Sequence, residues 1–108
     1  MKGFYGTPFS KTATHATDAV ATQTGVALQT HYITDLSASS DKAGSIVLVK
    51  DGTTTIWQDI VGAVGSGGHY EISFITPLKA TAGADISVTI DGTAACKANM
   101  SGFTLNNS

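Results

Sequence analysis

The sequence predicts an all-β domain: an antiparallel two-sheet sandwich, jelly-roll-like, with an extended N-terminal arm. Three observations predict it. Short segments of β-branched and aromatic residues recur from Gly25 onward. Gly, Asp and Ser separate them at intervals of about 8–12 residues, and no sustained stretch carries the apolar period of a helix.

Residues 1–24 differ from the rest. The aromatic residues Phe4, Tyr5 and Phe9 precede a Thr/Ala/His/Asp run without a core-forming period. Thr12, Thr14, Thr17, Thr22 and Thr24 favour extended backbone over helix. The segment reads as an arm that gains order only on another surface, with Phe4, Tyr5 and Phe9 as its anchors at a protein interface. The domain proper is expected to span residues 25–108, and removal of the arm is expected to leave it folded.

Within the domain, Val26, Leu28, Thr30 and Tyr32 share one parity, and residues 33–36 continue the run, as one long strand or two joined by a bend. Residues 37–44, Ser-Ala-Ser-Ser-Asp-Lys-Ala-Gly, form a polar loop. Residues 45–50, Ser-Ile-Val-Leu-Val-Lys, make an apolar strand that predicts cover on both faces. Asp51-Gly52 then supplies two residues tolerant of positive φ, so residues 53–61 return antiparallel as a hairpin. Residues 62–68 are a glycine-rich connector. A phosphate loop is excluded there, because the next segment alternates as a strand instead of opening a helix.

In residues 69–75, Tyr70, Ile72 and Phe74 face the core while His69, Glu71 and Ser73 face water. Pro77 cannot donate to a ladder, so the strand is expected to end there, and residues 80–84 turn a corner. Ile86, Val88 and Ile90 alternate with Asp85, Ser87 and Thr89. Asp91-Gly92 offers a second tight turn before the inward set Ala94, Cys96, Ala98 and Met100 and the closing residues 102–105. Six to eight strands over about 84 residues fit a sandwich of jelly-roll topology or, alternatively, an immunoglobulin-like Greek key, since both share this local grammar.

Charged residues make up only 13% of the chain, with six Lys, no Arg, seven Asp, Glu71 as the lone Glu, and a net charge of -2. Such a surface lacks the clustered cations of a nucleic-acid binder, so DNA or RNA is not an expected partner. No run approaches the roughly 18 apolar residues of a membrane span, and the N-terminus lacks a secretory apolar core. Cys96 is the only cysteine, which excludes an intramolecular disulfide and leaves core filling as its expected role. Lys97 beside it belongs to the opposite face of a strand.

No catalytic or cofactor constellation is legible, and neither enzymatic activity nor a cofactor is expected. His15, His31 and His69 have no metal-ligand spacing with another His or Cys. Asp35, Asp41, Asp51, Asp59, Asp85 and Asp91 mostly flank turns, where aspartate caps local backbone, and no dense oxygen-ligand run for calcium occurs. Gly65-Ser66-Gly67 lacks the spacing of a nucleophile elbow. Trp57, between Ile56 and Ile60, reads as a core residue before an interface one.

The strand His31-Tyr32-Ile33-Thr34-Asp35-Leu36, the hairpin at Lys50-Asp51-Gly52-Thr53-Thr54, Trp57, Pro77-Leu78, Ala82-Gly83-Ala84 and Ile86-Ser87-Val88-Thr89 together resemble head decoration (cement) proteins of tailed bacteriophages. The resemblance spans about residues 25–105 and rests on motifs that are also general sandwich grammar. It implies a structural virion protein, made in the host cytoplasm, that binds the major capsid protein lattice as a homotrimer. The alternative is a phage tail or fibre module that binds a receptor or carbohydrate. Open strand edges with few lysines independently predict self-association.

Overall fold

The computed structural model describes residues 6–61 and 68–106. Eight strands follow in order: β1 Thr7–His15, β2 Asp18–Gln23, β3 Gln29–Ser40, β4 Ser45–Asp51, β5 Thr54–Val61, β6 Gly68–Lys79, β7 Ile86–Asp91 and β8 Cys96–Asn106. They build two four-stranded antiparallel sheets, β1-β8-β3-β6 and β2-β7-β4-β5. The pairs β1·β8, β2·β7, β3·β6 and β4·β5 nest inside one another, as in one long antiparallel ribbon rolled upon itself. That is jelly-roll order, and it decides against the four-plus-three strand division of the immunoglobulin alternative.

Alternation places the core between the sheets. Ile86, Val88 and Ile90 of β7, Val47 and Val49 of β4, and Ala19 and Ala21 of β2 face Ile33, Leu36 and Ala38 of β3 and Cys96, Ala98 and Met100 of β8, all buried. At the β5/β6 side, Trp57 packs against Phe74 edge-on at 5.4 Å and against Tyr70 at 5.8 Å, closing the gap between sheets. Trp57 is half-buried and packs against the edge of the core.

The structure corrects the reading of the N-terminal segment. Its backbone is extended, but residues 7–23 are ordered by this chain's own sheets: β1 pairs with β8 from Thr7↔Thr104 to His15↔Cys96, and β2 pairs with β7 from Asp18↔Asp91 to Gln23↔Ile86. Thr and small residues suit a strand whose inner face needs little volume, and Ala19 and Ala21 fill that face almost completely buried. The boundary at residue 24 thus falls inside the sandwich, between β2 and β3.

Four further expectations shift. Residues 37–40 continue β3 instead of forming a loop, because Ala38 and Ser40 point inward while Ser37 and Ser39 take the wet face. Residues 26–28 lie outside any strand, with Leu28 exposed at φ 65°. β4 is covered on one face only, since Ile46 is exposed. Asp91-Gly92 does not close a hairpin, because β7 and β8 belong to different sheets.

The β4–β5 hairpin is present, with Asp51↔Thr54 as its last pair and Gly52-Thr53 as its loop. Gly52 alone has positive φ there, 63°, the pattern of a type II′ turn in place of the type I′ that two such residues would make. β6 runs through Pro77 to Lys79, which the sheet tolerates because β6 is an edge strand. Around Thr34 the register of β3 slips against both neighbours. Opposite that slip, a Cβ on Gly102 would stand 1.8 Å from the Tyr32 carbonyl oxygen, so the backbones approach closer than any side chain permits.

Candidate functional site

The residues singled out by chemistry separate in the fold. Phe4 and Tyr5 lie outside the described residues, as does the connector at 62–67. Phe9 is half-buried and packs on the core, its ring edge-on to His31 at 5.8 Å, which corrects its expected role as a free interface anchor. An inward position of β1 forces this, because Phe9 faces Gly102 in the β1–β8 ladder.

His31 is a buried structural clamp. Its Nε2–H donates to the Thr24 carbonyl at 2.8 Å, and its Nδ1 shares a 2.7 Å hydrogen bond with the Thr104 hydroxyl, tying β3 to the β2–β3 loop and to β8. His15 Nδ1 accepts from the backbone N–H groups of Thr17 and Asp18 and shapes the β1–β2 turn. His69 pairs at 3.0 Å with Glu71 on an outer face. Among the described residues no group of three His, Cys, Asp or Glu side chains is placed to hold a metal ion. Cys96 is buried, its thiol donating to the His15 carbonyl at 3.3 Å, and burial pushes its pKa up, away from thiolate chemistry.

Asp59 caps locally, accepting from the Ile60 N–H, whereas Asp41, Asp51, Asp85 and Asp91 accept from backbone remote in sequence. Asp41 accepts from the N–H groups of Thr93 and Ala94, each at 2.9 Å. Asp51 accepts from the Thr81 N–H and hydroxyl. Asp85 accepts from the Gly25 N–H at 2.6 Å, and Asp91 accepts from the Ile46 N–H while pairing with Lys42 at 2.6 Å. The carboxyls of Asp41 and Asp91 lie below the usual range, held there chiefly by the Thr93 N–H and by Lys42 respectively. Asp59 is lowered by the Tyr70 hydroxyl, which donates to it at 2.7 Å. Asp41, Asp51, Asp85 and Asp91 staple the ends of the sandwich together.

What the topology does assemble is two unlike outer faces. On the β2-β7-β4-β5 sheet, Val20, Ile46 and Ile60 are 49%, 43% and 61% exposed. Ile46 stands opposite Ile60, and the row Val20–Thr89–Leu48–Gln58 crosses all four strands beside them. Val20, Ile46 and that row line a shallow depression of about 430 Å³, with Asp18 and Asp91 at one end and Lys50 at the other.

On the β1-β8-β3-β6 sheet the outward residues align in three polar rows. These are Ser10–Ser101–Asp35–Ser73, Thr12–Asn99–Ser37–Glu71 and Thr14–Lys97–Ser39–His69. The first row, with Asn99, Ser37 and Glu71 of the second, floors a concavity of about 380 Å³. Ser73 Oγ donates to Asp35 Oδ1 at 2.5 Å and Thr34 Oγ1 to Asp35 Oδ2 at 2.8 Å, which lowers the Asp35 pKa. Asn99 Nδ2 donates to Ser37 Oγ at 3.1 Å, and Thr12 Oγ1 donates to Asn99 Oδ1. One row beyond, Tyr32 and Phe103 stack with ring centroids 4.8 Å apart and planes 13° from parallel. Sequence reasoning assigned Glu71 and Ser73 to a wet face. It missed the rows, because their members are scattered over four strands whose pairing is non-local.

No protein-family model matches the chain, and no curated protein matches it. Among solved structures, it is similar to the insecticidal delta-endotoxin Cry8Ea1 from Bacillus thuringiensis, at a TM-score of 0.43 and 12% identity, over 94% of this chain and 20% of the toxin chain.

Proposed function

We propose that the protein is a structural docking module, a decoration subunit that stabilises a bacteriophage head by seating on the major capsid protein lattice. The observation that carries this reading is the apolar cluster of exposed Val20, Ile46 and Ile60 with half-buried Leu48 on the outer face of β2-β7-β4-β5. A sheet needs apolar residues on its core side only, and contiguous aliphatic side chains on the outer side suit a protein interface. Weak overall charge removes the repulsion that would oppose dense packing on a lattice. Self-association as a trimer at the particle surface belongs to the same proposal, with the strand edges β2 and β5 flanking the cluster.

The test is co-sedimentation of the purified protein with phage heads stripped of it. The wild type is expected to bind to saturation at a fixed copy number. Ile46→Lys with Ile60→Lys is expected to abolish binding while melting within a few degrees of the wild type, since both side chains are outside the core. Wild-type protein that fails to bind heads, or a double variant that binds as well, refutes the proposal.

A further inference from the structure

We propose that the opposite face, on the β1-β8-β3-β6 sheet, is a binding site for a neutral oligosaccharide. This inference does not depend on the docking proposal, which uses the other sheet.

Sheet geometry sets the dimensions. Neighbouring strands lie about 4.8 Å apart and successive outward residues of one strand about 6.8 Å apart. The rows Ser10–Ser101–Asp35–Ser73 and Thr12–Asn99–Ser37–Glu71 therefore form a polar grid roughly 14 Å by 7 Å. The concavity above it, about 380 Å³, is shallow and open.

The chemistry of the grid selects the ligand. A sugar hydroxyl donates one hydrogen bond and accepts others, so its complement mixes acceptors and donors at close spacing, as hydroxyl, carboxamide and carboxylate groups do here. The ionised Asp35 carboxylate has about four acceptor sites, and the two used by Ser73 and Thr34 hold its orientation while leaving capacity beside the concavity it lines. Asn99 is fixed in the same way between Thr12 and Ser37. The stacked Tyr32 and Phe103 rings, one row further along the face, add the apolar surface that the C–H side of a pyranose ring requires.

Other occupants fit less well. A protein interface calls for a cluster of exposed aliphatic anchors; these two rows carry none, and Ile75, the next outward residue of β6 after Ser73, is a single one beside them. A polyanion would meet Asp35 and Glu71 within the two rows, the cations Lys97 and Lys79 lying one row beyond on either side. Sugars that carry neither sulfate nor carboxylate are left as the class that matches.

The experiment titrates the full-length ¹⁵N-labelled protein with cellotetraose, maltotetraose and chitin tetrasaccharide, with a heparin tetrasaccharide as the anionic control. At least one neutral sugar is expected to give saturable amide shifts centred on Asp35, Ser37, Asn99 and Ser101, with heparin giving none. Asn99→Ala and Tyr32→Ala should each weaken that binding about tenfold, and Ile46→Lys should leave it unchanged. Ser37→Ala serves as the substitute should Asn99→Ala melt early. Absence of saturable shifts with all three neutral sugars overturns the proposal. So do shifts that map to another surface, heparin binding as tight as the sugars, or undiminished binding by the variants.

Discussion

Deleting residues 1–24 removes β1 and β2, one strand from each sheet, and is expected to unfold the domain. The deletion cancels nine paired positions on β8 and six on β7. At a net of about 0.5–1.5 kcal/mol for each of on the order of ten ladder hydrogen bonds, that loss alone approaches the roughly 5–15 kcal/mol stability of a small domain. Side-chain burial adds to it. Ala19 and Ala21 are 1% and 2% exposed and Phe9 packs on the core, while Ile90 and Met100, buried in the intact protein, lose neighbours on strands that become edges. Each fully buried Ile or Met side chain is worth about 1.5–3 kcal/mol. Far-UV circular dichroism during heating, together with a ¹H–¹⁵N correlation spectrum, reads the outcome. A truncated chain that melts cooperatively within about 5 °C of the full-length protein, with dispersed amide signals, refutes the argument and makes the segment an arm after all.

Two further outcomes follow from the geometry. Gly102→Ala places a methyl group 1.8 Å from the Tyr32 carbonyl oxygen, against the rigid β3 backbone, and should cost about 1–3 kcal/mol, lowering Tm by about 4–20 °C in a thermal melt; an unchanged Tm would show that the β3 slip relaxes freely. The folded-state pKa values of Asp35, Asp41, Asp59 and Asp91 lie below their unfolded values, so their stabilising contribution is complete above the unfolded carboxylate pKa of about 4 and disappears as pH falls through the lower folded values. Tm should therefore be level from neutral pH to about pH 5 and drop steeply below about pH 4, with Asp41→Asn and Asp91→Asn reducing the drop; the same slope in these variants would refute the linkage.

The all-β class, the β4–β5 hairpin and the inward faces of β6, β7 and the first half of β8 were legible in the chain alone. Each is decided locally, by a period of two or by Asp51-Gly52 at a turn. The strand identity of residues 7–23 was not legible, because Ala19 and Ala21 fill a thin inner layer and give no strong apolar period. Their burial depends on β7 and on β1, which are remote from one another in sequence. Jelly-roll order is likewise a matter of which strands pair at long range: β1 with β8 spans nearly the whole chain, and nothing within either strand encodes its partner. Composition by itself determined that the surface would be weakly charged and that Cys96 would stand alone. Only the tertiary structure sorted that surface into an aliphatic face and a hydroxyl-rich one, because Ile46 and Ile60, or Asp35 and Asn99, become neighbours through strand register and not through sequence.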